Sequence, residues 1–443
     1  MKRLSKKDRE RQRREQRAEI RRRERQRPKR RAFRTASTGT THVLDCYRSH
    51  RGLKPSRRKI EATLVLPEQF SFIDKPNEAI EAIDRFVEIA SARPRALVID
   101  HSRCVHGDHC AESVLSALAI DSRRGGKTRL RGFLPTDEQQ RKRVIASGMP
   151  RNLNLHLGDI EDYFPFGLRR GTKKKERAFT SSPREEVTTK LTEYVDQCLN
   201  RYGWQLTDAA AEFMSRIVGE VIGNAEDHSL QRNWWASGYL HEQEGKMLGD
   251  CHLTIFNFGQ TIYQSLQLLP ENSLLRRQIR ELVKLHRDKG FFVRNAWTEE
   301  GLWTLYALQE GVSRFNRATG ELETDRGQGT AELIEFFQRL GQKRSQGGEP
   351  RMCIVSGRTH IMFDGRYQMK KMARPHGAPR RVVALNTTND LREKPDKDCV
   401  TTLKKPFPGT LISLRFYFDR EYLAKHGGAD VRAATGVARA LSI

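Results

Sequence analysis

Residues 56–160 alternate between strand-like and helix-like spacing of their apolar side chains. The segment 60–66 alternates with a period of two, 77–90 has the three-to-four-residue spacing of a helix, and 96–100 is a short apolar run typical of a buried parallel strand. The same criteria predict two further helices, 111–118 and 138–146, and two further strands, 128–133 and 152–157. Alternating strands and helices predict a small α/β domain.

The second half of the chain opens with two long amphipathic helices, predicted at 184–202 and 207–228. An apolar strand follows, and some sixty mostly helical residues come after it, including predicted helices at 274–286 and 299–313. The predicted elements that close this region are a hairpin of 352–355 with 360–363, and strands at 381–386 and 410–418.

These patterns divide the chain into five segments. They are a basic arm and linker at 1–55, an α/β domain at 56–160, a basic linker at 161–183, a second α/β domain at 184–425, and a C-terminal tail at 426–443. The fold class predicted from this division is α/β, with two folded domains after an arm that is either disordered or helical.

The charge of the chain is concentrated in the arm. The 443 residues carry a formal net charge of +26, and residues 1–34 hold 18 Lys or Arg against 5 Asp or Glu. With almost no apolar side chains, this segment cannot build a core. Basic arms of this kind contact nucleic acid or another polyanion, although a solvated tail that aids solubility fits the same composition.

The remaining composition indicates a cytoplasmic protein. No apolar run is long enough to span a bilayer, and the N terminus lacks the apolar segment of a secretory signal. The seven cysteines are scattered and odd in number, which favours reduced thiols over a disulfide framework.

Three polar residues lie on one strip of the predicted helix 207–228. At about 100° per residue, Glu220, Asn224 and Asp227 fall within roughly 60° of one another, beside an apolar stripe. Magnesium prefers oxygen ligands, so the Asn224 amide together with phosphate and water oxygens suits it. Glu220, one turn away, is placed to take a proton from an attacking water. The same strip also fits an ordinary solvated helix face.

The run from Glu220 to His228 resembles the N box of the GHKL ATPases, the superfamily of gyrase, mismatch-repair ATPases and histidine kinases. Three further segments resemble GHKL motifs in the expected order. They are a first glycine box at 255–262, a second glycine box at 326–330, and a closing strand that begins Gly409-Thr410. Short glycine motifs recur by chance, but four in order over 185–420 make the region similar to a GHKL two-layer α/β sandwich.

The resemblance implies an ATP site that uses Mg²⁺. In it Asn224 holds the metal ion, Glu220 is the general base of slow hydrolysis, and Asn257 contacts adenine. The nucleotide-binding residues that the resemblance implies are Asn224, Asp227, His228, Asn257, Gly259, Arg326, Gly327, Gln328, Gly329, Thr330 and Thr410. Closure of the segment between the glycine boxes would change a partner-binding surface, so the resemblance implies an ATP-binding regulatory protein with a protein partner or a homodimeric state.

Two positions depart from the family pattern. Its first glycine box begins with an Asp that accepts a hydrogen bond from the adenine amino group, whereas Asn257 has an amide that both accepts and donates. Its second glycine is replaced by Thr261, which leaves the backbone less room to approach a ligand. A degenerate nucleotide-binding module that mediates interactions is therefore a second hypothesis.

The pattern and size of 56–160 resemble STAS-like domains, which often accompany GHKL ATPases in bacterial regulators. This pairing permits a third hypothesis, a serine protein kinase of the anti-sigma type that acts on a partner.

Five potential metal ligands crowd the loop after the strand 96–100. They are His101, Cys104, His106, His109 and Cys110. Thiolates and imidazoles are the usual ligands of zinc, but this spacing matches no common zinc site. The alternative is a surface loop that contacts a partner or the second domain.

Overall fold

The computed structural model describes thirteen stretches of the chain. They are residues 43–57, 60–124, 128–155, 157–158, 160–172, 182–228, 233–243, 248–287, 297–312, 329–341, 350–373, 379–419 and 431–433. The basic arm 1–34 and the site residues Arg326, Gly327 and Gln328 lie outside them.

The N-terminal part contains a three-stranded parallel sheet of order β1–β3–β5. Its elements in chain order are α1 (Val43–Arg51), β1 (Glu61–Val65), β2 (Gln69–Phe70), α2 (Pro76–Ser91), β3 (Ala96–Asp100), β4 (His106–Gly107), α3 (His109–Arg124), β5 (Arg129–Phe133), α4 (Glu138–Ser147) and α5 (Met149–Asn152). This confirms the α/β class predicted for the region, because parallel strands alternate with helices.

One predicted strand of this part is wrong. The described residues of 152–157 form no strand, because Pro150 lies in the first turn of α5 and the helix continues to Asn152. Asn154 then adopts a left-handed φ of 59°, which a strand does not permit.

The C-terminal part is built on a five-stranded antiparallel sheet of order β10–β13–β9–β8–β6. Its elements in chain order are β6 (Tyr163–Thr172), α6 (Pro183–Asn200), β7 (Trp204–Leu206), α7 (Asp208–His228), β8 (Asn233–Glu242), β9 (Leu248–Phe258), α8 (Ile262–Leu266), α9 (Leu274–Arg287), α10 (Glu299–Ala307), α11 (Gly329–Gly341), β10 (Arg351–Phe363), β11 (Lys370–Met372), β12 (Arg380–Val382), β13 (Val400–Asp419) and β14 (Val431–Ala433).

Four segments differ from their predictions, and the first is the predicted C-terminal tail 426–443, which contains β14 paired with β7. The predicted hairpin at 352–363 is the single strand β10, which continues past a register shift at Gly357, where φ is 59°. The predicted linker 161–183 contains β6, an edge strand paired with β8. The predicted arm and linker 1–55 contain α1, whose residues Val43 and Tyr47 are fully buried.

The five-stranded sheet carries a core on each face. Alternate residues of a strand face opposite sides, so Ile255 of β9 packs in the core that α6, α7 and α11 cover. Phe256 and Phe258 instead join the core of α1, α2 and α3. The ring of Tyr47 in α1 meets Phe258 edge to face, with centroids 5.4 Å apart. The N-terminal layer therefore shares its core with the sheet, and the described residues from 43 to 433 belong to one compact unit.

Polar side chains are buried where α3 crosses the second face of the sheet. His109 of α3 hydrogen-bonds through Nε2 to the Ser237 hydroxyl at 3.0 Å, and Tyr239 stacks on His252 with centroids 4.5 Å apart. Burial lowers the pKa of His252 to about 4 and that of His109 to about 3, so both rings are neutral at pH 7.

All seven cysteines are buried and unpaired. Within the described stretches, no helix combines the length and the apolar character that a bilayer crossing requires.

Candidate functional site

A cavity of about 110 Å³ lies between α7 and the five-stranded sheet. Its lining is mostly aliphatic with a few hydroxyl and amide groups. The lining residues are Val221, Asn224, Ala225, Ile255, Asn257, Ile262, Ser265, Leu266, Ala307, Leu308, Val312, Thr330, Ile354, Thr410 and Ile412. An apolar pocket with a few convergent polar groups is the common form of a small-molecule site.

Asn257 lines the cavity and is fully buried. Its Nδ2 donates to the carbonyl oxygen of Ala225 at 2.7 Å, and its Oδ1 accepts from the backbone N–H of Thr410 at 2.9 Å. An aspartate could not donate to the Ala225 carbonyl. The amide therefore joins the last turn of α7 to β13 across β9.

Thr410 extends this network along β13. Its hydroxyl lies 3.0 Å from the hydroxyl of Ser356, which also accepts from the backbone N–H of Ile262 at 2.9 Å. The preceding residue must be glycine, because a β-carbon on Gly409 would stand 2.1 Å from the carbonyl oxygen of Asn257. Hydrogen bonds and one close backbone contact thus fix β13 against its neighbouring strands at the cavity.

Glu220 lies against Gly329, the first residue of α11, next to the lining residue Thr330. A β-carbon on Gly329 would stand 2.2 Å from Oε2 of Glu220, and the Gly329 N–H faces the carboxylate. Burial and the neighbouring Glu332 carboxylate raise the pKa of Glu220, and Arg216 and Arg184 oppose that rise. The carboxylate therefore lies at a helix N-terminus, where backbone N–H groups favour an anion.

Charged side chains fix α11 in this position. Glu332 is buried and accepts from Nη1 of Arg216 on α7 at 2.6 Å. Arg381 of β12 lies 3.7 Å from the other oxygen of Glu332 and forms a second ion pair with Glu310 at 3.0 Å. The residues of the second glycine box that are described, Gly329 and Thr330, are therefore the start of an anchored helix.

Thr261 has a local role that the sequence did not suggest. It is the N-cap of α8, and its hydroxyl accepts from the N–H of Gln264 at 3.1 Å while the Gln264 side chain accepts from the N–H of Thr261. A threonine fits this position because it forms a reciprocal capping box, which a glycine cannot form.

The structure places four predicted site residues in the cavity wall: Asn224, Asn257, Thr330 and Thr410. Two more, Glu220 and Gly329, contact each other next to this wall. Asp227 lies exposed one turn beyond Asn224, and His228 is the last residue of α7. Gly259 follows β9, and its N–H donates to the carbonyl of Pro408 at 2.9 Å.

One charged residue near the site had no motif to identify it. Arg184, at the start of α6, places its guanidinium over Gly223 of α7. Its neighbours along the chain carry no pattern beyond that of a helix start, so only the packing of α6 on α7 shows its position.

The five potential zinc ligands after β3 have separate partners. His101 pairs with Glu112 at 3.0 Å, His106 with Asp74 at 3.1 Å, and His109 with Ser237. In the described part of the chain, no three His, Cys, Asp or Glu residues converge to hold a metal ion. The alternative expectation of a surface loop is wrong for His109 and Cys110, which are buried at the start of α3, where His109 contacts Ser237 of the sheet.

Comparison with known proteins gives no match: no family model matches the sequence, and no curated protein and no solved structure matches the chain.

Proposed function

We propose that the protein is a cytoplasmic bacterial regulator that binds ATP with Mg²⁺ in a GHKL-type domain joined to a STAS-like layer. The observation that carries this proposal is the cavity, whose polar wall combines the N-box residue Asn224, the glycine-box residues Asn257 and Thr330, and Thr410 of the closing strand. These four residues belong to separate motifs, yet they line one cavity.

The cavity suits the two ends of a nucleotide. Aliphatic side chains such as Val221, Ile255 and Ile412 provide an apolar wall for a flat base. The start of α11 at Gly329 provides backbone N–H groups for phosphate oxygens. In this arrangement the Glu220 carboxylate stands in for the anion at the helix N-terminus.

The side-chain oxygens of Asn224 and Glu220 fit a magnesium ion that also binds nucleotide phosphate. Asn224 offers an amide oxygen and is exposed, and Glu220 lies one turn before it. No protein-only metal cluster occurs among the described residues, so phosphate and water oxygens have to complete the shell. When bound, the ion neutralises phosphate charge.

Glu220 is the proposed general base. Its raised pKa brings the carboxyl nearer to neutral pH, where a carboxylate accepts a proton from water most effectively. To accept the proton, the carboxylate has to break its hydrogen bond with the Gly329 N–H, which can then donate to the incoming phosphate. Because hydrolysis requires this exchange first, it is expected to be slow.

Calorimetric titration of the full chain with ATP and MgCl₂ tests the proposal. We expect saturable binding that Asn224→Ala weakens most when magnesium is present. An absence of heat and of any thermal shift with ATP would exclude the nucleotide site.

A second candidate function is a partner-binding module that does not bind nucleotide, and the bonds of Asn257 favour it. Both ends of its amide are engaged within the protein, at Ala225 and at Thr410. Adenine recognition would have to use the remaining lone pair of Oδ1 or the second N–H of Nδ2. A protein that binds a partner equally with and without ATP would match this candidate.

A further inference from the structure

Arg184, the second residue of α6, lies unusually close to the backbone of α7. A β-carbon built on Gly223 would stand 2.6 Å from both Cζ and Nη1 of Arg184 and 2.9 Å from Nη2. The guanidinium therefore covers the α-carbon of Gly223. Glycine is what permits this approach, although a glycine inside a helix costs about 1 kcal/mol relative to alanine.

The guanidinium lies beside the strip of polar residues on α7. At about 100° per residue, Gly223 is roughly 60° from Glu220 around the helix, and the next residue, Asn224, lines the cavity. The positive charge of Arg184 acts directly on the Glu220 carboxylate. No described acidic residue forms an ion pair with Arg184.

We propose that Arg184 binds the phosphates of a nucleoside triphosphate in the cavity and makes the site select a triphosphate over a nucleoside. This inference rests on the proposed function. A guanidinium presents a planar fork of donors that matches phosphate oxygens, and it stays charged at all relevant pH values. With Gly329 contributing backbone N–H groups from α11, the phosphates would be held by α6 on one side and α11 on the other.

A purely structural role makes a different prediction. If Arg184 only packs α6 against α7, its loss lowers the stability of the chain and affects every ligand of the cavity equally. If Arg184 binds phosphate, its loss lowers the affinity for ATP and leaves the affinity for adenosine unchanged. The ratio of the two affinities separates these roles.

The experiment uses the full chain, MgCl₂ and displacement of a fluorescent ATP analogue by ATP or by adenosine. We expect Arg184→Met to lower the affinity for ATP about tenfold or more, the usual effect of losing a charge-assisted hydrogen bond. The affinity for adenosine should be unchanged. The matched control is Lys190→Met, because Lys190 is a cation on the same helix that is exposed and paired with Glu186 at 2.5 Å. Thermal melting shows that each variant is folded.

Two glycines of α7 provide a second matched pair. A β-carbon on Gly223 meets the guanidinium, whereas one on Gly219 meets Thr188 Cγ2 at an ordinary 3.6 Å. Gly223→Ala should therefore displace Arg184 and reduce ATP affinity, while Gly219→Ala should leave it unchanged.

Three outcomes count against the inference. Unchanged ATP affinity in folded Arg184→Met overturns it, and so does an equal loss for ATP and adenosine. Wild-type protein that binds neither ligand removes the proposed function itself and this inference with it. If Arg184→Met does not fold, Arg184→Lys decides, because retention of the charge without the fork should give an intermediate loss for ATP alone.

Discussion

The side-chain amide of Asn257 donates a 2.7 Å hydrogen bond to the carbonyl oxygen of Ala225, and so joins β9 to the last turn of α7. Asn257→Asp keeps the shape of the side chain but removes the donor. At neutral pH, an ionised carboxylate would then face the Ala225 carbonyl in a fully buried position. We expect a loss of about 1–3 kcal/mol in the free energy of unfolding, measured in urea.

The matched control for this change is Asn224→Asp. Asn224 is exposed on α7, the helix that Asn257 contacts, so the same chemical change there should alter stability by less than about 0.5 kcal/mol. Equal stability of Asn257→Asp and the wild type would mean that the bond to Ala225 does not form in solution.

The close crossing of Gly409 and Asn257 makes a second prediction. A β-carbon on Gly409 would stand 2.1 Å from a backbone oxygen, so Gly409→Ala has to push β13 away from β9. We expect a loss of about 1–3 kcal/mol in unfolding free energy. Gly167→Ala in β6 is the control, because a β-carbon there meets no atom within 4 Å. Similar melting temperatures for the two variants would contradict the geometry.

Glu220 is expected to separate hydrolysis from binding. Glu220→Gln removes the proposed base and also the negative charge that faces the Gly329 N–H. ATP turnover should fall about 100-fold or more, the usual contribution of a general base, while ATP affinity is kept or increased. Phosphate release and calorimetry measure the two effects. Glu212→Gln, an exposed change on the same helix, should leave both unchanged, and a fully active Glu220→Gln would exclude this residue as the base.

Stability should fall as the pH drops from about 6.5 to about 4. Burial lowers the pKa of His252 and of His360 to about 4 in the folded chain, whereas an unfolded histidine titrates near 6.5. Below pH 6.5 the unfolded chain binds protons at these histidines, whereas the folded chain does not. Each histidine therefore lowers the free energy of unfolding by on the order of 3 kcal/mol by the time the pH reaches its folded pKa.

Urea unfolding at a series of pH values measures this slope. His360→Gln should flatten part of it, because it removes one of the two buried rings. If the slope of stability against pH did not depend on His360, the ring would not be buried in its neutral form.

The basic arm provides a test that is independent of the cavity. If residues 1–34 bind nucleic acid or another polyanion, their deletion should abolish binding to a labelled duplex DNA or RNA. The wild-type affinity should also fall steeply as salt rises, because phosphate contacts release counterions. Binding that survives the deletion would place the polyanion contact elsewhere.

The sequence predicted most helices and strands because capping residues and apolar periodicity lie within each element itself. The α6 helix begins at Ser182, where a capping box with Glu185 and a following proline mark the start in the sequence. The α7 helix was predicted because its apolar stripe has a clear period, and that same period places Glu220 and Asn224 on one strip.

What the sequence did not predict depends on contacts between distant segments. The α1 helix is short and polar in composition, and it is defined by the burial of Tyr47 against Phe258. The role of Asn257 was interpreted as adenine contact, but its partners Ala225 and Thr410 become visible only when α7 and β13 meet β9. Arg184 was not identified because its position depends on how α6 packs against Gly223.

The shared core of α1, α2 and α3 with the five-stranded sheet has a consequence for synthesis on the ribosome. The side chain of Asn77 accepts a hydrogen bond from the N–H of Lys404, 327 residues later. The apolar side of the first layer therefore stays exposed until β9 has been made, and its cover is complete only after β13 has followed. Folding should be slow because such distant contacts close late, and the growing chain should depend on chaperones that shield that surface.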